Sequence, residues 1–409
     1  MIFAQASVAA LLLSLAFALP LRAEGNGLLI SDTARLHLIF ETEARYDSLA
    51  AVGGVGNGLV VQTDPGDLIV HLRPGLRLDA PGAAASFTGA ARLDYQRFTG
   101  LGGPTQNLSY LGAFADLGLD LSHGGPVSFH AGEHFARSDQ TSNPALGLGS
   151  ITDANLLEAR LAFKPGGGAI EAGVGYGFSF EQYELHALGA VICNQPSCTG
   201  TDYGNFGSQT HRGILDLRWR FLPKTALVAD FSWAARIYQN RTANLPTDPL
   251  RAEAGLVGLL TEKVRVVLKA GYENTFASSG NNFQGVIGQA EGGWQPTETT
   301  KIALGVLRTA EPVSDVYGWY DDWRLYASGS ILLAGKLLVT LGGNLDRLAY
   351  GNGNGRVDKQ GSVNAALEYE FTRYLRAAVG GVFTNRNSTE GGVFSYSRGE
   401  AFARVTLTY

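Results

Sequence analysis

Charged and hydrogen-bonding side chains recur at every second position in much of this 409-residue sequence. In "DLIVHLRPGLRLD", His71, Arg73, Arg77 and Asp79 alternate with leucine and valine. Such groups pair with opposite charges or bind polar solutes, and they are too costly to bury in a dry core. Acids and bases both occur on these faces, so no single sign dominates. The pattern predicts a wet, charged surface of mixed sign.

The residues expected to contact a solute on that surface share this alternation. Each of them also suits a purely structural role as half of a cross-strand ion pair that stiffens a wall. The candidates are Arg73, Arg77, Arg92, Asp94, Asp116, Glu158, Arg160, Asp216, Arg218, Asp230, Arg236, Arg265, Lys269, Glu291, Arg324, Tyr326, Glu368, Arg376, Phe402 and Arg404.

The sequence contains no comparable pattern of residues that would support catalysis. The sequence contains no G-x-S-x-G motif, and its glycine-rich stretches "GVGNG" and "GNGNG" are not followed by a helical pattern that would complete a phosphate site. We therefore expect neither an enzyme nor a cofactor. A formal net charge of -5 also argues against nucleic acid as a partner, because phosphate binding favours a basic surface.

Two cysteines, Cys193 and Cys198, are the only thiols. In an exported chain such a close pair predicts a local disulfide. Metal binding by two cysteines alone is the weaker alternative, and no metal is expected. His130 and His134 have strand spacing and are expected on the polar face.

The first residues have the pattern of an export signal. Residues 8–19 are apolar, Pro20 interrupts them, and Ala23 provides a small residue at a cleavage position. We predict a signal peptide at 1–23, a short periplasmic segment at 24–33 and one structural unit at 34–409. An uncleaved membrane anchor is the alternative for the first segment.

The alternation from residue 34 onward has the period of β-strands, without a convincing helical pattern. Most segments have at least ten alternating residues, enough for a tilted strand to cross a bilayer. The eighteen predicted strands are 34–46, 67–79, 86–98, 108–121, 126–138, 153–163, 169–183, 211–221, 224–238, 250–260, 263–276, 283–294, 299–308, 319–333, 336–348, 361–371, 374–385 and 396–409.

Connections between these strands alternate between short and long. Tight turns such as "LPK" and "TE" follow even-numbered strands, and longer polar loops follow odd-numbered strands. This layout is typical of a transmembrane antiparallel up-and-down β-barrel in the outer membrane of a Gram-negative bacterium. An even number of strands would place both termini in the periplasm. A soluble sandwich is the alternative, but its strands are usually about five or six residues long.

The last strand is amphipathic to its end, where Leu407 and Tyr409 share the apolar face. Lipid would cover that face, and pairing with the first strand would close the ring. The terminal aromatic resembles the recognition signal of the barrel-assembly machinery. Aromatic residues near strand ends, Trp319 among them, are expected to anchor the lipid face. The longest loop, 184–210, is expected to fold inward.

Three stretches carry a family resemblance: "RYDS" at 45–48, "GDLIVHLRPGLRLD" at 66–79 and "ARLDYQRF" at 91–98. They resemble porins encoded beside bacterial exopolysaccharide genes, including the eighteen-stranded secretion barrels of Wzx/Wzy-type pathways in myxobacteria. The resemblance implies passive translocation of a polysaccharide to the cell surface, with a periplasmic polysaccharide-export protein as partner.

A second function class fits the same residues. A general-diffusion or substrate-specific porin for the uptake of small solutes would also need a wet lumen of mixed charge. Glycosyltransferase and polymerase genes beside the coding sequence would favour export, and their absence would favour uptake.

Overall fold

A computed structural model describes most of the chain. The described residues are 27–50, 55–56, 59–60, 66–101, 105–139, 150–185, 207–239, 246–277, 282–312, 318–351, 355–390 and 394–409.

Eighteen long antiparallel strands make up the fold, and they confirm the eighteen predicted segments. Each alternates apolar and polar side chains, and this period of two gives every strand one apolar face. The strands are β1 (Arg35–Asp47), β2 (Asp67–Ala80), β3 (Ala85–Phe98), β4 (Tyr110–Leu121), β5 (Val127–Ser138), β6 (Ser150–Phe163), β7 (Ile170–Leu185), β8 (Ser208–Leu222), β9 (Thr225–Tyr238), β10 (Leu250–Leu259), β11 (Val264–Asn274), β12 (Gln284–Thr297), β13 (Thr300–Pro312), β14 (Trp319–Leu333), β15 (Leu337–Tyr350), β16 (Val357–Thr372), β17 (Leu375–Ser388) and β18 (Tyr396–Thr408).

The strands close into a ring. Each pairs with the next along the chain, and β1 pairs with β18. At the end of that last pair, the backbone N–H of Leu38 donates to the carbonyl of Tyr409 at 3.1 Å, and the reciprocal bond is 2.9 Å long. The result is a closed antiparallel barrel, so both edges of the sheet are paired where the ring closes.

The connections are short at one end of the barrel and long at the other. Ranges 223–224, 298–299 and 373–374 are among the connections at the end we call the turn end. Ranges 48–66 and 186–207 are among those at the opposite end, the loop end. Two 3-10 turns, Thr105–Leu108 and Pro165–Gly167, lie between strands. The described part of the chain contains no helix that could span a bilayer.

Apolar side chains cover the outside of the barrel. Leucine, valine and aromatic residues on this face are exposed, and Trp219, Trp233, Trp294 and Trp323 lie among them. Polar and charged residues alternate with them and face inward, where many are buried against one another. The fold is inverted relative to a soluble domain, as a barrel surrounded by lipid requires.

The segment before β1 contacts the barrel. Leu28 and Leu29 form a two-residue antiparallel pairing with Leu36 and Arg35. Part of the predicted periplasmic segment 24–33 is therefore hydrogen-bonded to the first strand. The predicted signal peptide, 1–23, lies outside the described residues.

A buried ion pair joins the first and last strands at the loop end. The Arg398 guanidinium donates to the Asp47 carboxylate, with Nη2–Oδ2 and Nε–Oδ1 distances of 2.5 and 3.1 Å. Asp47 also accepts a bond from the backbone N–H of Leu49 at 2.9 Å. This side chain is buried, so its charge depends on these partners.

The substitution Asp47→Ala is expected to destabilise the barrel by about 2 kcal/mol, because Arg398 loses its charge-assisted bonds across the closing strand pair and keeps only Glu400 on its own strand. The β1–β18 contact is the one strand pair of the described ring whose strands are not consecutive in the chain. Urea unfolding of the vesicle-inserted protein measures the loss. Asp153→Ala is the matched control, since its partner Arg137 lies on the neighbouring strand of a continuous hairpin. Equal losses in both variants would contradict a special role for the closing pair.

Candidate functional site

The inward wall of the barrel carries every candidate contact residue named from the sequence. Most of these side chains are bound to a neighbour of opposite charge or to an aromatic ring. Glu158, Arg218 and Arg265 lie on the same inward face. The structure places the candidates on the inward wall, and their contact with a solute stays a prediction.

The tightest cluster lies across β1, β2 and β3. The Arg73 guanidinium donates to Glu41 at 2.7 Å and to Glu43 at 3.3 Å, and its Nε lies 3.1 Å from Asp94. All four side chains are almost fully buried. The cluster forms because alternate inward positions on three neighbouring strands fall beside one another.

His71 completes this cluster and was not among the candidates. Its Nδ1 lies 3.0 Å from Asp94 and 2.9 Å from the Nη2 of Arg73. The signal was available in the sequence, because His71 alternates with Arg73 on the same strand face.

Another group of side-chain hydrogen bonds joins strands that have one other strand between them. Arg160 on β6 pairs with Asp216 on β8, with Nε–Oδ2 at 2.9 Å, and it also donates to Glu171 at 3.1 Å. The intervening residue on β7 is Gly173, and a Cβ there would overlap both the Asp216 carboxylate and the Arg160 guanidinium. The missing side chain makes the bridge possible.

The same construction recurs on the next strands. Lys269 on β11 reaches across β10 to Asp230 on β9 at 2.5 Å. The Tyr326 hydroxyl on β14 donates to Glu291 on β12 at 2.7 Å, and its ring lies over Gly305 of β13. Sequence reasoning pairs adjacent positions and did not predict bonds that skip a strand.

Shorter links complete the charged wall. Arg324 donates to Asp346 at 2.5 Å and to Asp322 at 2.7 Å. The Glu368 carboxylate lies 3.5 Å from the Arg376 guanidinium and 3.7 Å from the Arg404 guanidinium. Arg77 pairs with Asp79 at 3.0 Å.

Two aromatic rings face the lumen under arginines. The Arg92 guanidinium lies 4.7 Å from the Phe114 ring centre, and that of Arg404 lies 5.5 Å from the Phe402 ring centre. Cation–π contacts of this kind hold both partners in place. They present flat apolar faces beside hydrogen-bond donors.

Exposed histidine–aspartate pairs line the wall at β4 and β5. His134 contacts Asp116 at 2.5 Å, and His130 contacts Asp120 at 2.7 Å. Both pairs remain about half exposed to the lumen, which makes them accessible to water and solute.

The lumen narrows at the loop end because the hairpin of β13 and β14 turns inward. The β12–β13 pairing ends at Gly288 and Arg308, whereas residues 309–312 remain paired with β14 only. Ala310 is fully buried and packs on Phe283 and Ile287. Its backbone N–H donates to Glu273 of β11 at 3.3 Å. The tip of this hairpin therefore lies inside the ring.

The inward bend of the β13–β14 hairpin shows that one prediction from the sequence was wrong. Trp319 was expected to anchor the lipid face, but it packs edge-on against Phe283 with ring centres 5.3 Å apart. The alternation places Trp319 on the outward side of β14, and the inward bend brings that side against the neighbouring wall. Local period alone does not reveal such a bend.

Two arginines hold the inward hairpin. Arg251 donates to Glu273 at 2.9 Å and to Thr309 of β13 at 2.6 Å. Arg236 donates to the carbonyl of Pro312 at 3.1 Å and to Glu181 at 2.9 Å. Arg236 was a candidate from the sequence, and Arg251 was missed.

Some expectations concern residues outside the described part of the chain. The predicted Cys193–Cys198 disulfide lies there. Most of loop 184–210, which was expected to fold inward, also lies there. Among the described residues, the β13–β14 hairpin is one segment that lies over the inward wall at the loop end.

A closed ring with an apolar exterior and a charged interior defines an outer-membrane β-barrel of the porin type. The family described as "Putative beta-barrel porin 2" matches residues 83–409, and the chain belongs to this family. A search of curated proteins returned no match.

Solved structures include similar barrels. The outer membrane protein opdK of Pseudomonas aeruginosa is 8% identical with a TM-score of 0.50, and the alignment covers 92% of this chain and 99% of opdK. OccK3 (OpdO) of the same organism is 11% identical with a TM-score of 0.48, covering 91% and 95%. Acinetobacter baumannii OccAB4 is 14% identical with a TM-score of 0.46, covering 91% and 98%. At these identities the likeness shows the fold alone.

The substitution Gly173→Ala is expected to destabilise the barrel by about 1–3 kcal/mol, because the new methyl group forces Arg160 and Asp216 apart. Gly177→Ala is the matched control on the same strand and face, where a Cβ meets only ordinary contacts. Urea unfolding in lipid vesicles measures both. A loss at Gly177 as large as that at Gly173 would show that the bridge is not the cause.

Proposed function

We propose that this chain is a passive outer-membrane channel for the uptake of small polar solutes. The observation that supports it most directly is the inward wall, where acids and bases neutralise each other around a closed ring. A wall of this kind offers many hydrogen-bonding groups without a strong net field. Solutes can bind and leave it, as conduction requires.

The paired charges point to weak ion selectivity. Arg73, Arg160 and Arg324 each contact at least two carboxylates, so the charges of these arginines are neutralised within the wall. The inward β13–β14 hairpin would set the size limit, because it lies in the path of any solute that enters at the loop end. Neutral or zwitterionic solutes fit this wall better than multiply charged ones.

The orientation belongs to the same proposal. Residues 1–23 would direct export, both termini would face the periplasm, and the loop end would face outward. Tyr409 at the end of β18 would be recognised by the barrel-assembly machinery. Its exposed ring stacks on Tyr374, with ring centres 6.1 Å apart.

In planar bilayers and solute-loaded liposomes, the purified protein is expected to form weakly ion-selective channels and to admit small sugars and amino acids. Arg251→Gln is expected to increase conductance and raise the size limit. It leaves Glu273 buried without its ion-pair partner, at a cost of about 3–5 kcal/mol, and so loosens the hairpin.

Arg265→Gln is the matched control, because it removes the same charge from the inward face of the neighbouring strand β11 near the turn end. It is expected to leave the size limit unchanged. Liposomes that do not swell in the presence of small solutes would contradict the proposed channel. Equal effects of both variants on the size limit would contradict the proposed constriction.

Export of a polysaccharide is the second candidate. The Arg92–Phe114 and Arg404–Phe402 pairs favour it, because flat aromatic faces beside guanidinium donors suit sugar rings. The polymer would pass to the cell surface, and a periplasmic polysaccharide-export protein would deliver it to the turn end.

Deletion of the gene separates the two candidates. Under the uptake proposal, the deletion strain keeps its surface polysaccharide and takes up small solutes more slowly. Loss of surface polysaccharide with unchanged uptake would reverse the choice. Complementation with a variant carrying Phe114→Ala and Phe402→Ala, against Phe383→Ala on the outward face as control, tests the aromatic pairs directly.

A further inference from the structure

One carboxylate lies at mid-height on the lipid-facing side of the barrel, away from the loop end. Glu133 is in the middle of β5, and its register partners on either side are Leu117 and Leu157, both exposed leucines of the apolar belt. The other charged residues on the outward face of the described strands lie towards the loop end. These are Arg97, Arg137, Asp153, Glu184, Arg308, Asp321, Arg347 and Lys359.

A charged or hydrogen-bonding group in hydrocarbon is costly and is usually covered by a polar partner. Among the described residues, Glu133 accepts one hydrogen bond, from the Asn155 amide at 3.0 Å. A carboxylate has about four acceptor sites, so one amide leaves most of its capacity facing lipid.

A hydrogen-bond donor lies close by at the same depth. Tyr176 on β7 also faces outward, is about half exposed, and contacts the Nδ1 of His211 at 2.6 Å. Barrel strands tilt by about 40°, so each register line rises as it passes from strand to strand. Tyr176 lies two strands from Glu133, at the outward-facing position next to the one that is in register with Glu133. The strand tilt offsets this shift along the strand, so the two side chains lie at nearly equal depth in the membrane.

Small residues separate the two polar groups. Ala131, Ala159 and Tyr176 are register partners on β5, β6 and β7, so Ala159 lies between Glu133 and Tyr176 on the middle strand. A two-fold axis normal to the membrane at Ala159 would preserve depth and exchange β5 with β7. Such an axis would place Glu133 of each copy opposite Tyr176 of the other.

We propose that the outward face of β5–β7 binds a second copy of this chain. The contact is isologous, as in most two-fold dimers. Ala159 lies at the axis. Each Tyr176 hydroxyl accepts the Nδ1–H of its own His211 and donates its proton to the Glu133 carboxylate of the partner copy. The dimer covers the carboxylate that a lone barrel exposes to lipid.

Cysteine cross-linking in native outer membranes tests this interface. In a background with Cys193→Ser and Cys198→Ser, Ala159→Cys is expected to yield a covalent dimer on oxidation. Ala365→Cys is the matched control, because it is an outward alanine on β16 at the opposite side of the ring. It is expected to remain monomeric.

Single substitutions then test the polar contacts. Tyr176→Phe and Glu133→Leu are each expected to lower the Ala159→Cys cross-linking yield by at least about fivefold, as the loss of the two symmetry-related hydrogen bonds predicts. Tyr272→Phe changes another exposed outward tyrosine and should leave the yield unchanged. Heat-modifiable migration on gels confirms that each variant is folded.

Three results would overturn the proposal. They are no covalent dimer at Ala159→Cys, an equal yield at Ala365→Cys, and a full yield in the folded Tyr176→Phe variant. None of them bears on conduction through the lumen, so the proposed channel is tested separately.

Discussion

The structure depends on one constraint, which is that backbone groups in hydrocarbon have no water to bind. Each unpaired N–H or C=O would cost several kcal/mol, so the sheet must close on itself. The pairing of β1 with β18 meets this need, and the reciprocal bonds between Leu38 and Tyr409 carry it to the last residue. Once the ring is closed, the period of two divides every strand into a lipid face and a lumen face. The apolar exterior and the charged interior follow from that division.

Closure also determines how the interior charges are satisfied. The lumen face gathers acids and bases from neighbouring strands at matched depth, and most of the charges described above have a partner within reach of the side chain. Where the partner lies two strands away, the intervening position must be small. Gly173 beneath the Arg160–Asp216 bridge and Gly305 beneath the Tyr326 ring meet this requirement. The abundance of glycine, 54 residues, thus has one source in the crowding of long polar side chains on a concave wall.

The sequence predicted the strands well because alternation is a local property. All eighteen segments were found, and the ends differ by at most four residues, as for 299–308 against Thr300–Pro312 and 361–371 against Val357–Thr372. Inward placement of the candidate residues followed from the same parity. The bonds that skip a strand depend on register across several pairs, which no single segment encodes. The inward bend of β13–β14 depends on where one ladder ends, and so Trp319 was assigned to the wrong surroundings and Arg251 was missed.

The departures from alternation are the most informative positions in the barrel. Ala310 is at an outward-facing position of its strand but is fully buried. Such a residue marks a place where the wall bends into the ring and the lumen is narrow. Glu133 is at an outward-facing position and carries a charge. Such a residue marks a place where contact with lipid alone is energetically costly. Both exceptions break a rule that costs energy to break, so each requires compensation from another part of the fold or from another molecule. At Ala310 the compensation is visible, since Glu273 and Arg251 on the neighbouring strands β11 and β10 bind the bent hairpin. At Glu133 the described part of the chain supplies Asn155 alone, and a second copy of the barrel would meet the remaining acceptor capacity.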